Sequence, residues 1–375
     1  MKNNLADYFM QMVRIDSESG EENEFAAFIT DELLRLSAHI EIGGFSDSGH
    51  GCAGNIFATI PGRVEMDPIL FCCHLDTVKP GKNIEPYIED GIIKSKGDTI
   101  LGSDDKSGIA QLLYALYNLQ ESGIDLPPVE ILFTACEEIG LLGAKYFDST
   151  VLKSKFGFAL DSKKIGDIVI GAPAQNTLQF VFKGKKAHAG FEPEQGVNAI
   201  KVCSHAIENM KIGRIDEETT ANIGVIHGGS ANNIIPDHVI VTGEVRSHSE
   251  EKLEDYTKQL LDNALSAVTD TTDSELFYDV TREYDSFYLD KDLPFLKLAV
   301  KAYDNIGMES ELLKAGGGSD ANVLNQAGIM MAVIGTGMDK VHTPEEQITV
   351  RDLELGSVWI EELISIYGNS KEIVL

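Results

Sequence analysis

Leu5, Tyr8, Phe9, Met12 and Val13 recur at i, i+3, i+4, i+7 and i+8. That spacing is one buried stripe of an amphipathic helix, and it predicts a helix over the first residues of the chain. A second helix is expected to begin at Ser19, with Glu22 three residues on as a capping box and Phe25, Phe28, Ile29 and Leu33 facing inward. Between residues 55 and 161 the period changes. Residues 55–60, 69–73, 129–134 and 156–160 read as strands, the last three apolar enough to be buried, and 105–119 reads as a helix with Ile109, Leu112, Leu113 and Leu116 inside. Buried strands separated by helices predict a layered α/β domain with a largely parallel sheet.

From about residue 174 the order becomes strand 177–183, helix 195–211, strands 221–227 and 238–246, helix 249–268 and strand 275–281. This βαββαβ run is the split pattern of a small ferredoxin-like α+β sandwich. Layered α/β then returns, with a helix at 293–303, a strand at 329–334 and a last helix capped by Thr349 with Asp352 at N3. The expected organisation is one α/β domain in two parts, 1–174 and 285–375, interrupted by an inserted α+β domain at 175–284. No internal repeat or low-complexity linker breaks it.

Length agrees, since 375 residues exceed one ordinary core. With 43% hydrophobic and 24% charged residues the chain reads as globular rather than disordered. Charge narrows the partners: 31 Lys and Arg against 60 Asp and Glu leave a net −29. Nucleic acids and anionic membranes are bound through clustered cations, so neither is an expected partner. The apolar run 68–73 is strand-sized, far short of a membrane span. The first residues carry Asp7 and lack the basic-then-apolar layout of a signal peptide. Five cysteines (Cys52, Cys72, Cys73, Cys136 and Cys203) make an odd set without a Cys-x-x-Cys pair. No disulfide framework or structural zinc is indicated, and a cytoplasmic location is expected.

The chemistry gathers where α/β sheets bind ligands, just beyond the carboxyl ends of strands. His74-Leu-Asp76 follows the second strand, Gly102-Ser-Asp104-Asp-Lys106 opens the long helix, Glu137-Glu138 follows residues 129–134, Asp161 ends residues 156–160, and His342-Thr-Pro-Glu-Glu346 lies beyond residues 329–334. Taken singly, these are ordinary caps, turns and solvated charges. Together they are imidazoles and carboxylates without a thiolate, the donor set of zinc, cobalt or manganese in a hydrolytic site. Phosphate loops, dinucleotide turns and nucleophile elbows are absent, because the required glycine spacings fail. Cys73 beside His74 reads as core packing.

In order along the chain, His74-Leu-Asp76-Thr, Leu101-Gly-Ser-Asp104-Asp-Lys-Ser-Gly108, Thr134-Ala-Cys-Glu137-Glu138-Ile-Gly140, Leu160-Asp161, Gly184-Lys-Lys-Ala-His188-Ala-Gly190, Asn233-Ile-Ile-Pro236, Gly243-Glu-Val-Arg246, Gly316-Gly-Gly-Ser-Asp320 and His342 resemble the two-metal peptidase and aminoacylase superfamily. Carboxypeptidase G2, succinyl-diaminopimelate desuccinylase and peptidase T belong to it, and the likeness is greatest to the peptidase T branch. The resemblance implies two divalent metal ions, zinc first, with Asp104 bridging them. His74 and Asp161 would complete one site, Glu138 and His342 the other. Asp76 would accept a hydrogen bond from the far nitrogen of His74. Glu137 would be the general base for a metal-bridging water. It further implies that the inserted domain is a lid that forms a homodimer, with His188 reaching a partner's site to stabilise the oxyanion. Arg246 would take a substrate carboxylate in a bidentate fork, and Asn233, Gly317 and Gly318 would contact the same substrate.

Within that superfamily, aspartate at the position of Asp161 accompanies aminopeptidases and dipeptidases, and glutamate accompanies carboxypeptidases and deacylases. The expectation is therefore a metallo-aminopeptidase acting on short peptides, tripeptides first. The alternatives are an N-acyl-amino-acid deacylase of the same superfamily and a non-catalytic, metal-stabilised relative.

Overall fold

The computed structural model describes residues 4–43 and 54–370. The first stripe is the helix Leu5–Val13, and its apolar residues are buried. The second helix is shorter than expected, Asn23–Arg35, and the capping box does not form. Ser19 and Glu22 are instead drawn sideways. The Ser19 hydroxyl donates to Asp76 Oδ2 at 2.7 Å, and Glu22 Oε1 accepts from the N–H groups of Gly20 (2.8 Å) and Cys136 (3.2 Å).

The chain divides into two compact units. One comprises the described residues of Met1–Gly171, Tyr288–Ala315 and Ser319–Leu375, the other Ala172–Phe287 with Gly316–Gly318. In the first unit, strands follow the spatial order His39–Gly43, Asn55–Ile60, Val129–Thr134, Ile69–His74, Phe156–Ser162, Met330–Gly335, Asp167–Ala172. The four at the centre, Val129–Thr134 through Met330–Gly335, are mutually parallel. The neighbours on either side of them pair antiparallel, so the sheet is mixed rather than largely parallel. A parallel centre explains the continuous apolar runs, since both faces are covered. The helix Ser103–Ser122 lies across Ile69–His74 and Phe156–Ser162, and also packs on Leu5–Val13 and Val350–Asn369. Beneath it Phe156, Phe158, Phe295 and Trp359 make tilted and edge-on ring contacts at 5.2 to 5.6 Å, the geometry aromatic quadrupoles favour.

A small antiparallel sheet escaped the periodicity reading: Met338–Asp339, Gln347–Thr349, Ile92–Ser95 and Pro86–Glu89. Its tight hairpin turns on Asp90 (φ 51°) and Gly91 (φ 77°), the left-handed pair that a two-residue hairpin turn demands. That Asp-Gly signal was in the sequence. The sheet anchors the segment carrying His342.

Gly108 sets how closely the long helix approaches the strand ending at Asp161. A Cβ there would stand 2.5 Å from the Leu160 carbonyl oxygen and 2.6 Å from Asp105 Oδ1. Gly108→Ala is therefore expected to destabilise the protein by about 1–3 kcal/mol, as overpacked cores do, read as a lowered denaturant midpoint.

The second unit is a five-stranded antiparallel sheet in the order Gly213–Arg214, Thr219–Gly228, His238–Ser247, Ala174–Lys183, Glu275–Tyr284. Helices Ala199–Glu208 and Glu250–Thr269 bury Val202, Cys203, Leu253 and Leu260 against Leu178, Phe180, Phe182, Val239 and Val241. The alternation of Ala174–Lys183 puts its even-numbered residues into this core. Among the described residues no helix is long and apolar enough to cross a membrane.

Candidate metal centre

Strand ends and one loop bring the predicted ligands together. His74 closes Ile69–His74, Asp104 opens Ser103–Ser122, Glu137 and Glu138 follow Val129–Thr134, and Asp161 lies in Phe156–Ser162. His74 Nε2 stands 3.0 Å from Asp104 Oδ1, and His342 Nε2 stands 3.2 Å from Asp104 Oδ2 and 2.9 Å from Glu138 Oε1. The two oxygens of Asp104 thus face two different imidazoles. Ligand atoms of His74, Asp104 and Glu138 all lie within 4.8 Å of one another. Cys136 (φ 57°), just before the glutamates, and His342 (φ 65°) hold left-handed backbone that disfavours side chains with a Cβ.

Electrostatics show what the cluster lacks. Burial alone would push Asp104 up, but hydrogen bonds to His342 and His74, and their charge, hold it well below the usual carboxylate range. Burial raises Glu137, helped by the charges of Asp161, Asp320 and Glu138. Burial and the charge of Asp104 raise Asp161. His342 is pushed up to about 10 by its hydrogen bonds to Asp104 and Glu138. Burial opposes the charge on His74, yet bonds to Asp104 and Asp76 still raise it. Carboxylates outnumber imidazoles, and Glu137 and Asp161 are buried beside like charges. Asp105 Oδ1 and Asp320 Oδ1 are buried without a hydrogen-bond partner. A cation fits this donor set.

Asp76 does more than hold His74. His74 Nδ1 lies 2.9 Å from the Asp76 backbone carbonyl oxygen and 3.5 Å from its carboxylate. The carboxylate also accepts from the N–H groups of Glu137 (2.9 Å) and Glu138 (3.1 Å), besides the Ser19 hydroxyl. It therefore fixes the backbone of both glutamates. Asp105 Oδ2 accepts from the His74 N–H at 3.2 Å. Asp320, pushed up to about 6 by burial, accepts from the Thr134 hydroxyl at 2.5 Å. Ser19, Glu22, Asp105 and Asp320 were not singled out as functional; only the position of Asp105 and Asp320 inside the quoted motifs hinted at them.

Cys73 is buried, with its thiol raised by burial and by the charge of Asp105, so it is packing rather than nucleophile. Cys72, Cys73 and Cys203 are free, whereas Cys136 is disulfide-bonded, which corrects the expectation drawn from the cysteine count.

The remaining predicted residues lie in the second unit. His188 is exposed; its Nδ1 accepts from the Gly190 N–H at 3.1 Å, which leaves Nε2 as the protonated nitrogen. Asn233 is exposed beside it, its carbonyl accepting from the Ala189 N–H at 3.0 Å. Arg246 is not an open fork. Its Nε and Nη2 each donate to Glu244 at 3.0 Å, so the bidentate arrangement expected for a substrate carboxylate is occupied by a neighbour two residues away. A Cβ on Gly317 would come 3.2 Å from Arg246 Nη1, and one on Gly318 would strike the Tyr284 ring at 2.3 Å. Close packing therefore accounts for both glycines.

Comparison with known proteins agrees with this geometry. Residues 70–365 match the model for Peptidase family M20/M25/M40. The chain is 39% identical over 352 residues to the uncharacterized protein YqjE of Bacillus subtilis, covering 93% of this chain and 94% of that one. The solved aminopeptidase PepT of Bacillus cereus is 38% identical, covering 96% and 97% of the two chains with a TM-score of 0.86. A solved tripeptidase of Staphylococcus aureus is 34% identical, covering 98% of each chain with a TM-score of 0.93. Matched over most of its length and carrying the clustered donors described above, the chain belongs to peptidase family M20/M25/M40 and is a metallopeptidase.

Proposed function

We propose that the chain is a dinuclear metal-dependent aminopeptidase that hydrolyses short peptides, tripeptides first. One observation carries the reading: the two oxygens of Asp104 stand 3.0 and 3.2 Å from the Nε2 atoms of His74 and His342, as a bridging carboxylate requires. His74 and Asp161 would complete one site, Glu138 and His342 the other. Two divalent cations held there, zinc first and cobalt or manganese by the same donors, would supply Lewis acidity and an ionised water near neutral pH.

The chain's own residues do the rest. Glu137 takes a proton from the attacking water and gives it to the leaving amine as the C–N bond breaks. Asp76 keeps that base in register through the two backbone N–H groups it binds. His188, with Nε2–H free, donates to the developing oxyanion from a partner subunit, and Asn233 lies beside it. Arg246, committed to Glu244, contributes its remaining Nη1 edge beside Gly317, and Gly318 adds backbone only.

The unit Ala172–Phe287 is the lid and dimerisation domain in this reading. Support comes from Val225 and Ile226, exposed on the strand Thr219–Gly228, whose outer neighbour among the described residues reaches Thr220 and Ala221 alone. An apolar free strand edge invites a second copy, and sedimentation of a dimer is the expected result. The free thiols Cys72, Cys73 and Cys203 favour the cytoplasm; the bonded Cys136 speaks against it.

The name of the solved aminopeptidase PepT and Asp161 both point to a free α-amino group on the substrate. The test compares a tripeptide with its N-acetylated form on metal-loaded protein. Hydrolysis of the acetylated form is expected to be slower by on the order of 100-fold, because a site built to bind an amine is left unpaired. Equal or faster cleavage of the acetylated form would make the chain an N-acyl-amino-acid deacylase instead.

A further inference from the structure

Glu346 is a carboxylate that the chemistry above does not use, and it is 1% exposed. Its surroundings are built for it. Oε2 accepts from the N–H groups of Leu101 and Gly102, each at 2.8 Å, and Oε1 accepts from the Ser103 hydroxyl at 2.6 Å and the Asp104 N–H at 3.1 Å. All four donors belong to the turn that ends on Asp104. Glu346 itself closes a turn on the other side, its N–H donating to the Thr343 carbonyl at 3.0 Å, four residues beyond His342.

We infer that Glu346 is the positioning residue of the metal centre, a clamp that locks the Asp104 turn to the His342 segment so that the bridging carboxylate and the histidine meet in advance of metal binding. The inference rests on the dinuclear reading above. Burying a carboxylate is tolerable only when its lone pairs are filled, and here four donors fill them. Three of those donors are backbone N–H groups of the non-helical turn that leads into the long helix, groups with no partner inside it. A helix cap could be supplied by any nearby side chain. This one comes from the segment that bears another ligand, so each bond to it fixes a ligand-to-ligand distance. Supporting residues of this kind change metal affinity by about 10–100-fold when removed.

Glu346→Gln keeps the volume but has one acceptor oxygen, so its amide must turn donors toward at least one backbone N–H. The experiment titrates metal-free parent and variant with zinc by competition against a chromophoric chelator, alongside circular dichroism and thermal melting of both metal-free proteins. The expected result is a folded variant whose zinc affinity is weaker by about 10-fold or more. Its kcat at limiting zinc is reduced and restored by excess zinc, with KM unchanged. A merely structural residue would lower the melting temperature without moving the affinity of the folded protein. A folded Glu346→Gln with affinity and stoichiometry within about twofold of the parent overturns the inference. Should that variant not fold, Ser103→Ala removes a single one of the four donors, and an affinity loss of about threefold is expected; an unchanged affinity overturns the inference. A parent that binds no zinc would instead overturn the dinuclear reading, so the two failures are distinct.

Discussion

Glu137→Ala is expected to keep both metals and the fold while turnover of a free-amino tripeptide falls by about 10²–10⁴-fold, the range a positioned general base supplies. The reason is the division of labour between adjacent glutamates. Glu138 Oε1 is in contact with His342 Nε2, whereas Glu137 is buried among acids and has its N–H tied to Asp76. Neighbouring side chains after a strand diverge, so one can face metal and the other water. In the metal-free protein burial and the surrounding acids raise Glu137 above the usual carboxylate range. A bound cation reverses the sign of that field and frees the carboxylate to act as a base. Metal analysis beside steady-state kinetics checks this; a variant within tenfold of the parent contradicts the assignment.

Asp104→Ala is expected to lose metal as well as activity. Its carboxylate is in contact with both His74 and His342, and without it His74 Nε2 loses its partner while Nδ1 stays on Asp76. Loss of the Lewis acid removes several kcal/mol of transition-state stabilisation, on the order of 10³-fold in rate or more. The pattern to look for is fewer than one metal per chain after reconstitution together with lost hydrolysis. Retention of a full metal complement by Asp104→Ala contradicts the bridging role.

Several candidate ligands were legible because they follow strands short and apolar enough to be recognised, and strand ends in an α/β sheet converge on one side. His74 after Ile69–Cys73 and Glu137-Glu138 after Val129–Thr134 are of this kind. So was the second unit, whose alternating strands and amphipathic helices report their burial locally. The supporting residues were not legible, since their partners are far away in the chain. Ser19 and Glu22 carry the spacing of a capping box, and only the fold reveals that Asp76 and the Cys136 N–H compete for them. Glu346 meets donors more than 240 residues earlier, and no local pattern records that. Arg246 shows the opposite case. Its motif matched, yet Glu244, two positions back on the same face of the strand, takes the fork. The mixed sheet was missed because an apolar run does not record strand direction: Asn55–Ile60 reads as a strand, and only its pairing shows it antiparallel to Val129–Thr134.

The central claim is a two-cation centre bridged by Asp104 that performs the hydrolysis. Stoichiometric zinc titration of metal-free protein, with tripeptide hydrolysis followed at each addition, tests it most directly. The account predicts two zinc ions bound per chain, and hydrolysis that is lost on chelation and returns with the metal. Saturation at one ion or fewer, or hydrolysis that survives complete chelation, would contradict it.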